Sequence, residues 1–463
     1  GFVLLIASIA FGRTVAETPA LAALFTYKGE TLAFMLIAYG FIASVLPVWL
    51  LLAPRDYLST FLKIGTIVSL ALGICIVWPQ LRMPAVSRFI DGTGPVFAGS
   101  VFPFLFITIA CGAVSGFHAL VSSGTTPKMI ADETQTRFIG YGAMLMESFV
   151  AVMALIAASV LEPGVYFAMN SAPAMIGATP EAAASAISAW GFAITPETLT
   201  SVASDVGEKT ILSRTGGAPT LAVGMATILS SVVGGSTAMS FWYHFAILFE
   251  ALFILTTIDA GTRVARFMIQ DLVGTFIPAF RDTKSWTPNL IATAIAVSGW
   301  GYFLYQGVID PLGGINTLWP LFGIANQMLA AIALTLCVVV LFRMKRDRYA
   351  IIAILPTLWL YTCTLTAGLE KIFHSDPRIG FLAHAQKFSD AVAGEKVLAP
   401  AKTLSDMQRV IFNDYVDTGL CAIYIVLVLA MIGFALAAIR DARASTSVTT
   451  RESDDEVLQP AGA

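Results

Sequence analysis

The chain has 463 residues, of which 57% are hydrophobic and only 12% charged. Its mean hydropathy is +0.79, whereas soluble domains carry about twice that charged fraction. Such a chain cannot cover itself with a water-compatible surface, so lipid must supply much of its solvent. The formal net charge of -3 gives no sign of a nucleic-acid partner, and none is expected. Cys75, Cys111, Cys337, Cys363 and Cys421 all sit in apolar runs without a CxxC pair. They read as small core hydrophobes rather than disulfides or metal ligands. The chain starts at Gly1 inside a hydrophobic run, without Met or a signal peptide, and reads as lacking its amino-terminal part.

A span needs about 20 mostly apolar residues to cross about 30 Å of hydrocarbon. The candidates are Gly1–Phe11 (partial), Thr31–Leu52, Phe61–Trp78, Val101–Val121, Phe138–Leu161, Ser240–Ile258, Leu290–Gln306, Leu318–Phe342, Tyr349–Leu369 and Leu420–Ile439. Thr220–Gly235 is shorter and bracketed by glycines, and reads as a re-entrant or surface helix. The resulting fold class is an all-α polytopic membrane protein of about ten spans.

Basic residues set the orientation. With Arg343, Lys345, Arg346 and Arg348 inside, Arg55, Lys63, Lys128, Arg137, Arg263, Arg266, Arg281 and Lys284 also fall on the cytoplasmic side. The alternation holds only if Thr220–Gly235 does not cross. Residues 1–439 then form one transmembrane domain, with long outer loops at 162–219 and 370–416. The first loop reads as ordered and partly helical, because Trp190 and Phe192 punctuate it. Val264–Phe280 reads as an amphipathic, interfacial cytoplasmic segment, and the polar tail 440–463 as disordered and cytoplasmic. No HExxH, GxSxG or GxxxxGK[ST] motif occurs, so a protease, lipase or ATPase has no support. No cofactor is expected, and any energy coupling must come from an ion gradient.

The stretch Phe102–Ile130 carries the strongest chemical signal. It begins as an ordinary span and is then interrupted by Gly112, Ser115 and Gly116, with Phe117, His118 and the SSGTTPK run following. Broken backbone at membrane depth survives only where protein or water satisfies it. Its exposed helix ends offer N–H groups to an anion or carbonyls to a cation. The competing reading is close Gly/Ser packing of one continuous helix. The candidate substrate-binding set is Gly112, Ser115, Gly116, Phe117, His118, Ser122, Ser123, Thr125 and Thr126, with Tyr243, Asn326 and Gln327.

The second signal is Ser240–Arg266, where His244 and Glu250 interrupt an apolar run and Asp259 ends it. An ionisable group at that depth costs about 2.5–3.5 kcal/mol on insertion scales, so it faces the bundle interior or water. The candidate proton or ion-coupling set is Glu250, Glu147, His244, Lys63, Thr256, Thr257 and Asp259. Plainer alternatives stand beside each role. These are interhelical hydrogen bonds for Glu250, Glu147 and His244, an Asp259–Arg263 ion pair, a snorkelling Lys63, and amide glue between helices for Asn326 and Gln327.

Four stretches carry a family resemblance: PRDYLSTFLKIG (Pro54–Gly65), SGFHALVSSGTTPKM (Ser115–Met129), FWYHFAILFEALFILTTIDAGTR (Phe241–Arg263) and WPLFGIANQMLA (Trp319–Ala330). Together they resemble the carbon starvation protein A (CstA) family over most of Gly1–Arg346. The resemblance implies a bacterial inner-membrane carrier of peptides or of pyruvate, the latter with protons. It also implies the amino acid–polyamine–cation superfamily fold of two inverted five-helix repeats (LeuT-like). In that scheme Val101–Val121 is the second repeat's broken helix. Thr256 and Thr257 approach the place where related transporters hold sodium, and Lys63 comes from the helix that supplies a lysine in some proton-coupled relatives. The family's glycine-rich amino-terminal segment has no counterpart in this chain.

The expected function is therefore proton-coupled secondary transport of a short peptide or small carboxylate, embedded in the lipid bilayer. The alternative is a membrane nutrient sensor that binds the same solutes without moving them. An ion channel fits less well, because broken helices and scattered ionisable groups suit an occluding site better than a selectivity ring.

Overall fold

The computed structural model describes residues 2–282 and 285–444. Gly1, Lys284 and the tail 445–463 lie outside the described residues, as does the side chain of Lys128. Among the described residues all regular structure is helical, which is how apolar segments satisfy their own N–H and C=O groups without water.

The helices in chain order are α1 (Phe2–Glu17), α2 (Pro19–Phe25), α3 (Gly29–Val45), α4 (Leu52–Val77), α5 (Val101–Thr108), α6 (Ala110–Ala113), α7 (Gly116–Gly124) and α8 (Thr136–Val160). Next come α9 (Pro163–Asn170), α10 (Pro173–Ile176), α11 (Pro180–Ala189), α12 (Pro196–Val206), α13 (Ala218–Val232) and α14 (Met239–Phe276). The rest are α15 (Trp286–Ile309), α16 (Gly314–Arg343), α17 (Asp347–Phe373), α18 (Phe381–Ala393) and α19 (Leu404–Ala444). Among the described residues, 6 helices are long and apolar enough to cross a membrane, or up to 7 when α2 and α3, bent by 52°, count as one span.

Residues 162–219 form the four helices α9 to α12, each opening on proline. Proline suits the first helical turn, where its missing N–H would have no partner. Thr179 and Thr195 cap α11 and α12 by accepting N–H bonds from Ala182 and Thr198, the usual role of a hydroxyl at that position. Phe167, Ile187, Leu199 and Val206 from these helices join the main core with Met225 and Ile228 of α13 and Phe249 of α14.

Three expectations need correction. The helix expected over 220–235 is not at the surface. Its Thr220, Val223, Met225 and Ile228 are at most 3% exposed, and α13 packs between α4, α8 and α14. Gly224 permits this, because a Cβ there would overlap the Ala157 backbone of α8. Ser240–Ile258 and Val264–Phe280 are not separate span and interfacial segments, since α14 runs from the first into the second without a break as far as Phe276. Finally, α4 starts at Leu52 rather than Phe61, so Lys63 lies about three turns into the helix and not at its end.

Arg263 and Arg266 of α14, expected on the cytoplasmic side, are 2% and 6% exposed. They donate to the carbonyls of Ala43, Leu46 and Ser44 at the end of α3. A helix leaves its last carbonyls without intrahelical donors and with partial negative charge. The two guanidinium groups supply both donors and charge there. Cys75 and Cys337 are exposed on apolar helices rather than buried, while Cys363 and Cys421 are buried.

Candidate functional site

The segment 101–124 is broken twice. α5 ends at Thr108, the short α6 follows, and α7 begins after Ser115, whose backbone has φ +26° and ψ 96°. Positive φ in a non-glycine residue costs about 1–3 kcal/mol and persists only when its surroundings enforce it. Here Ser115 acts as the helix cap, its Oγ accepting the His118 N–H at 3.3 Å. The next amide, Phe117 N–H, is taken by Asn326 Oδ1 of α16 at 2.9 Å. Gly116 is the position that allows α16 so close, because a Cβ there would overlap the Asn326 carbonyl and the Ala330 nitrogen. Gly323, one turn earlier on α16, does the same for the Ile107 carbonyl of α5. Both halves of the broken helix therefore lie against one small-residue strip of α16.

Polar side chains gather at this break. His118 Nδ1 contacts Ser115 Oγ, while its Nε2 lies 3.8 Å from Glu147 Oε2 of α8. Glu147 Oε1 is 3.9 Å from Cys111 Sγ, which is 3.9 Å from Ser115 Oγ. The imidazole thus touches a hydroxyl on one nitrogen and faces a carboxylate with the other. A neutral imidazole carries one donor and one acceptor nitrogen, so this arrangement can pass a proton between Glu147 and Ser115. The side chains of His118 and Glu147 are 54% and 32% exposed, leaving room for a bridging water.

A second cluster lies one helix away. Phe117 packs against Gly261 of α14. Asp259, just before that glycine, is 0% exposed. Its Oδ2 accepts from Tyr39 Oη of α3 at 3.0 Å and contacts the Arg55 guanidinium of α4. Arg55 also reaches Asp56 at 3.0 Å and Thr256 Oγ1 at 3.3 Å, and Lys63 Nζ donates to Thr256 Oγ1 at 2.7 Å. The Asp259–Arg263 pair is replaced by Asp259–Arg55, since Arg263 is committed to α3. The snorkelling reading of Lys63 gives way to its bond with Thr256.

Other expected residues lie apart. Tyr243 is 1% exposed in the main core. It precedes Gly261 by 18 positions on the same unbroken helix, about 27 Å along it. His244 bonds its own helix at Ser240 O, 2.7 Å, so it is not an interhelical link. Glu250 is half-buried, and no hydrogen bond or ion pair to it exists among the described residues. The hydroxyls of Ser122, Ser123, Thr125, Thr126 and Thr257 donate to carbonyls of their own helices. Gln327 serves as glue, accepting from Thr364 of α17 at 3.4 Å. Gly112 closes α6 onto Ala151 of α8. Sequence reasoning missed Cys111, Tyr39 and Arg55. The only signal for Arg55 was a charge beside an apolar run, which reads as orientation rather than chemistry.

Residues 1–367 match the family described as Carbon starvation protein CstA. The chain is 60% identical over 455 residues to the peptide transporter CstA of Escherichia coli (strain K12), covering 96% of this chain and 65% of that protein. It is 52% identical over 455 residues to the pyruvate/proton symporter BtsT of the same organism, covering 93% and 63%. The CstA of Helicobacter pylori (strain J99 / ATCC 700824) is 52% identical over 434 residues, with 93% and 63% covered. The chain thus spans just under two thirds of the length of these relatives. No solved structure matches the chain. With the family pattern covering well over half of the sequence and relatives this similar, the chain belongs to the CstA family of carbon starvation proteins.

Proposed function

We propose that this chain is the membrane-embedded body of a secondary transporter that moves short peptides or pyruvate together with protons across a bacterial inner membrane. The observation that carries the reading is the break at Ser115. Two buried donors lie there: the Gly116 N–H, which has no partner among the described residues, and Asn326 Nδ2, which has only the weak Cys111 thiol beside it, its own oxygen being occupied by Phe117. Donors without a strong acceptor at a helix N-terminus suit a carboxylate, the group that a peptide C-terminus and pyruvate share. The His118–Glu147 pair, within reach of the same serine, is the proton carrier in this reading. The names of the relatives, a peptide transporter and a pyruvate/proton symporter, support it.

The proposed architecture is a LeuT-like inverted repeat with about ten crossings, formed by residues 1–439, with the carboxyl-terminal tail cytoplasmic. α5 to α7 would be its discontinuous helix. The Tyr39–Asp259, Arg55–Asp259 and Lys63–Thr256 contacts would tie α3 and α4 to α14 and change as the repeats rock. Counter-flow into liposomes holding the full-length protein tests the proposal, with pyruvate and dipeptides in competition. Uptake that collapses with a protonophore is expected. Binding without flux would replace transport by sensing, and flux indifferent to every ion gradient would end the coupled reading.

A further inference from the structure

A second buried polar centre lies outside the site just described, where the end of α15 meets α19. A cavity of about 20 Å³ is lined by Tyr302, Gln306, Asp310, Asn413 and Asp417, among others. That is room for one water-sized guest. Asp310 Oδ1 accepts the Leu312 N–H at 2.8 Å and its Oδ2 accepts from Asn413 at 2.9 Å. Asp414 is bonded to His384 Nδ1 of α18 at 2.7 Å. Asp417 is different. It is 3% exposed, its Oδ2 is buried without a donor, and Gln306 Oε1 is buried in the same state.

The charges around this cavity do not balance. Asp310, Asp414 and Asp417 are all at most 7% exposed. The groups that face Asp417 are Asp414, Asp310 and Lys371, with Cys421 and Tyr424 on its own helix. Lys371 of α17 is buried, and its ammonium sits over the rings of Phe97, Phe104 and Phe381 at 5.3, 5.2 and 5.6 Å. Arg409 is exposed and directed at Asp406 and the Ile309 carbonyl. Even with His384 protonated, one negative charge remains. An uncompensated buried ion costs several kcal/mol, so the site requires one more positive charge. Among the described residues no three His, Cys, Asp or Glu side chains converge to chelate a metal ion, which points to a single charge in a water-sized guest.

We propose that this cavity is a monovalent-cation site, in which Asp417 with Gln306 Oε1 and Asp310 holds one hydronium or sodium ion. The site stands independently of which solute the protein moves. Lys371 joins it to the broken helix, because the ring beneath its ammonium, Phe104, belongs to α5. Filling or emptying the cavity would alter the field at that lysine.

Thermal unfolding of the full-length protein in detergent, at fixed ionic strength, tests this. One arm exchanges sodium for N-methylglucamine at constant pH, and the other varies pH without sodium. Wild type is expected to gain stability with one cation, and Asp417→Asn to lose that dependence while keeping the melting temperature of the filled state. A sodium-specific gain assigns sodium, and a gain on acidification without sodium assigns the proton. Gln306→Leu keeps the charge and removes one acceptor. It should raise the half-saturating cation concentration about tenfold, the equivalent of one hydrogen bond. Identical cation responses in wild type and Asp417→Asn would overturn the proposal. If Asp417→Asn does not accumulate folded, an unchanged response in Gln306→Leu would do the same.

Discussion

Asn326 Oδ1 accepts the backbone N–H of Phe117 at 2.9 Å, so the start of α7 is held by a side chain from the middle of α16. The bond replaces an intrahelical partner that the first turn of any helix lacks. It also fixes which end of the amide points away, and leaves Asn326 Nδ2 buried with only the weak Cys111 thiol beside it.

Replacing Asn326 by leucine should therefore cost about 1–3 kcal/mol, because a buried N–H loses its acceptor. Asn326→Asp keeps the acceptor and removes the Nδ2 donor. Melting of purified variants should separate the two, with Asn326→Leu the less stable. Solute binding should fall in both. Equal melting temperatures for wild type and Asn326→Leu would show that the bond does not hold the break.

Gly116 and Gly65 form a paired test of packing. A Cβ on Gly116 meets α16 backbone, whereas one on Gly65 meets nothing within 4 Å. Gly116→Ala should destabilise by about 1–3 kcal/mol or more, since backbone atoms cannot repack like side chains. Gly65→Ala should be neutral or stabilising by up to about 1 kcal/mol, the helix-propensity gain. Yield of monodisperse protein and thermal melting read both.

Much of this site was legible in the sequence, for physical reasons. Glycine, serine and histidine inside an apolar run violate what a plain span needs, so a break near 112–116 announced itself, although Gly112 itself lies in α6 and the interruptions fall at Ile109 and Val114–Ser115. The partner of the break did not. Asn326 stood in the candidate substrate-binding set with helix glue as its plainer alternative, and the Oδ1 bond to Phe117 depends on how α16 crosses, which no local pattern encodes. Asp259 was read with its i+4 neighbour Arg263, yet the tertiary contact with Arg55 won, because Arg263 had the open carbonyls of α3 to satisfy. Asp414 fell in the expected outer loop 370–416 and Asp417 between that loop and the span expected from Leu420, since the apolar run marks only part of α19. That helix has 41 residues and is about 60 Å long, twice the hydrocarbon thickness.

Arg55 and Asp259 should behave as a buried pair. Removing only the cation, as Arg55→Met, leaves a carboxylate that is 0% exposed and should cost about 3–5 kcal/mol. The double variant Arg55→Met, Asp259→Leu should recover much of that loss, because an apolar pair of similar volume needs no desolvated charge. A double-mutant cycle on thermal or denaturant unfolding measures the coupling. Additive losses would show that the two groups do not act as a pair.

The connection between α17 and α18 offers a pH-dependent test. Hydrogen bonds from the Arg378 side chain and backbone hold the Asp376 carboxyl down at about 2. A carboxyl depressed in the folded state stabilises above its unfolded value of 3.8 and loses that contribution as pH falls towards about 2. The pair is partly exposed, so the effect should stay below about 1 kcal/mol. Asp376→Asn should therefore match wild type at the acid end of that window and fall slightly below it near neutrality. A constant difference across the window would rule out this linkage.

Under the proposed proton coupling, Glu147 and Glu250 offer two routes for the proton. Glu147 faces His118 Nε2 at 3.8 Å beside the break, whereas Glu250 has no bonded partner among the described residues. Glu250 also precedes Gly261, where α7 packs, by 11 positions or about 16 Å along α14. A proton tied to solute binding should use the nearer carboxylate, because only it can sense what occupies the Gly116 and Asn326 donors. Glu147→Gln should thus leave solute exchange between equal pools intact while removing its acceleration by an inward proton gradient. Glu250→Gln should retain that acceleration. Proton-driven uptake surviving in Glu147→Gln and vanishing in Glu250→Gln would move the coupling site along α14 and away from the break.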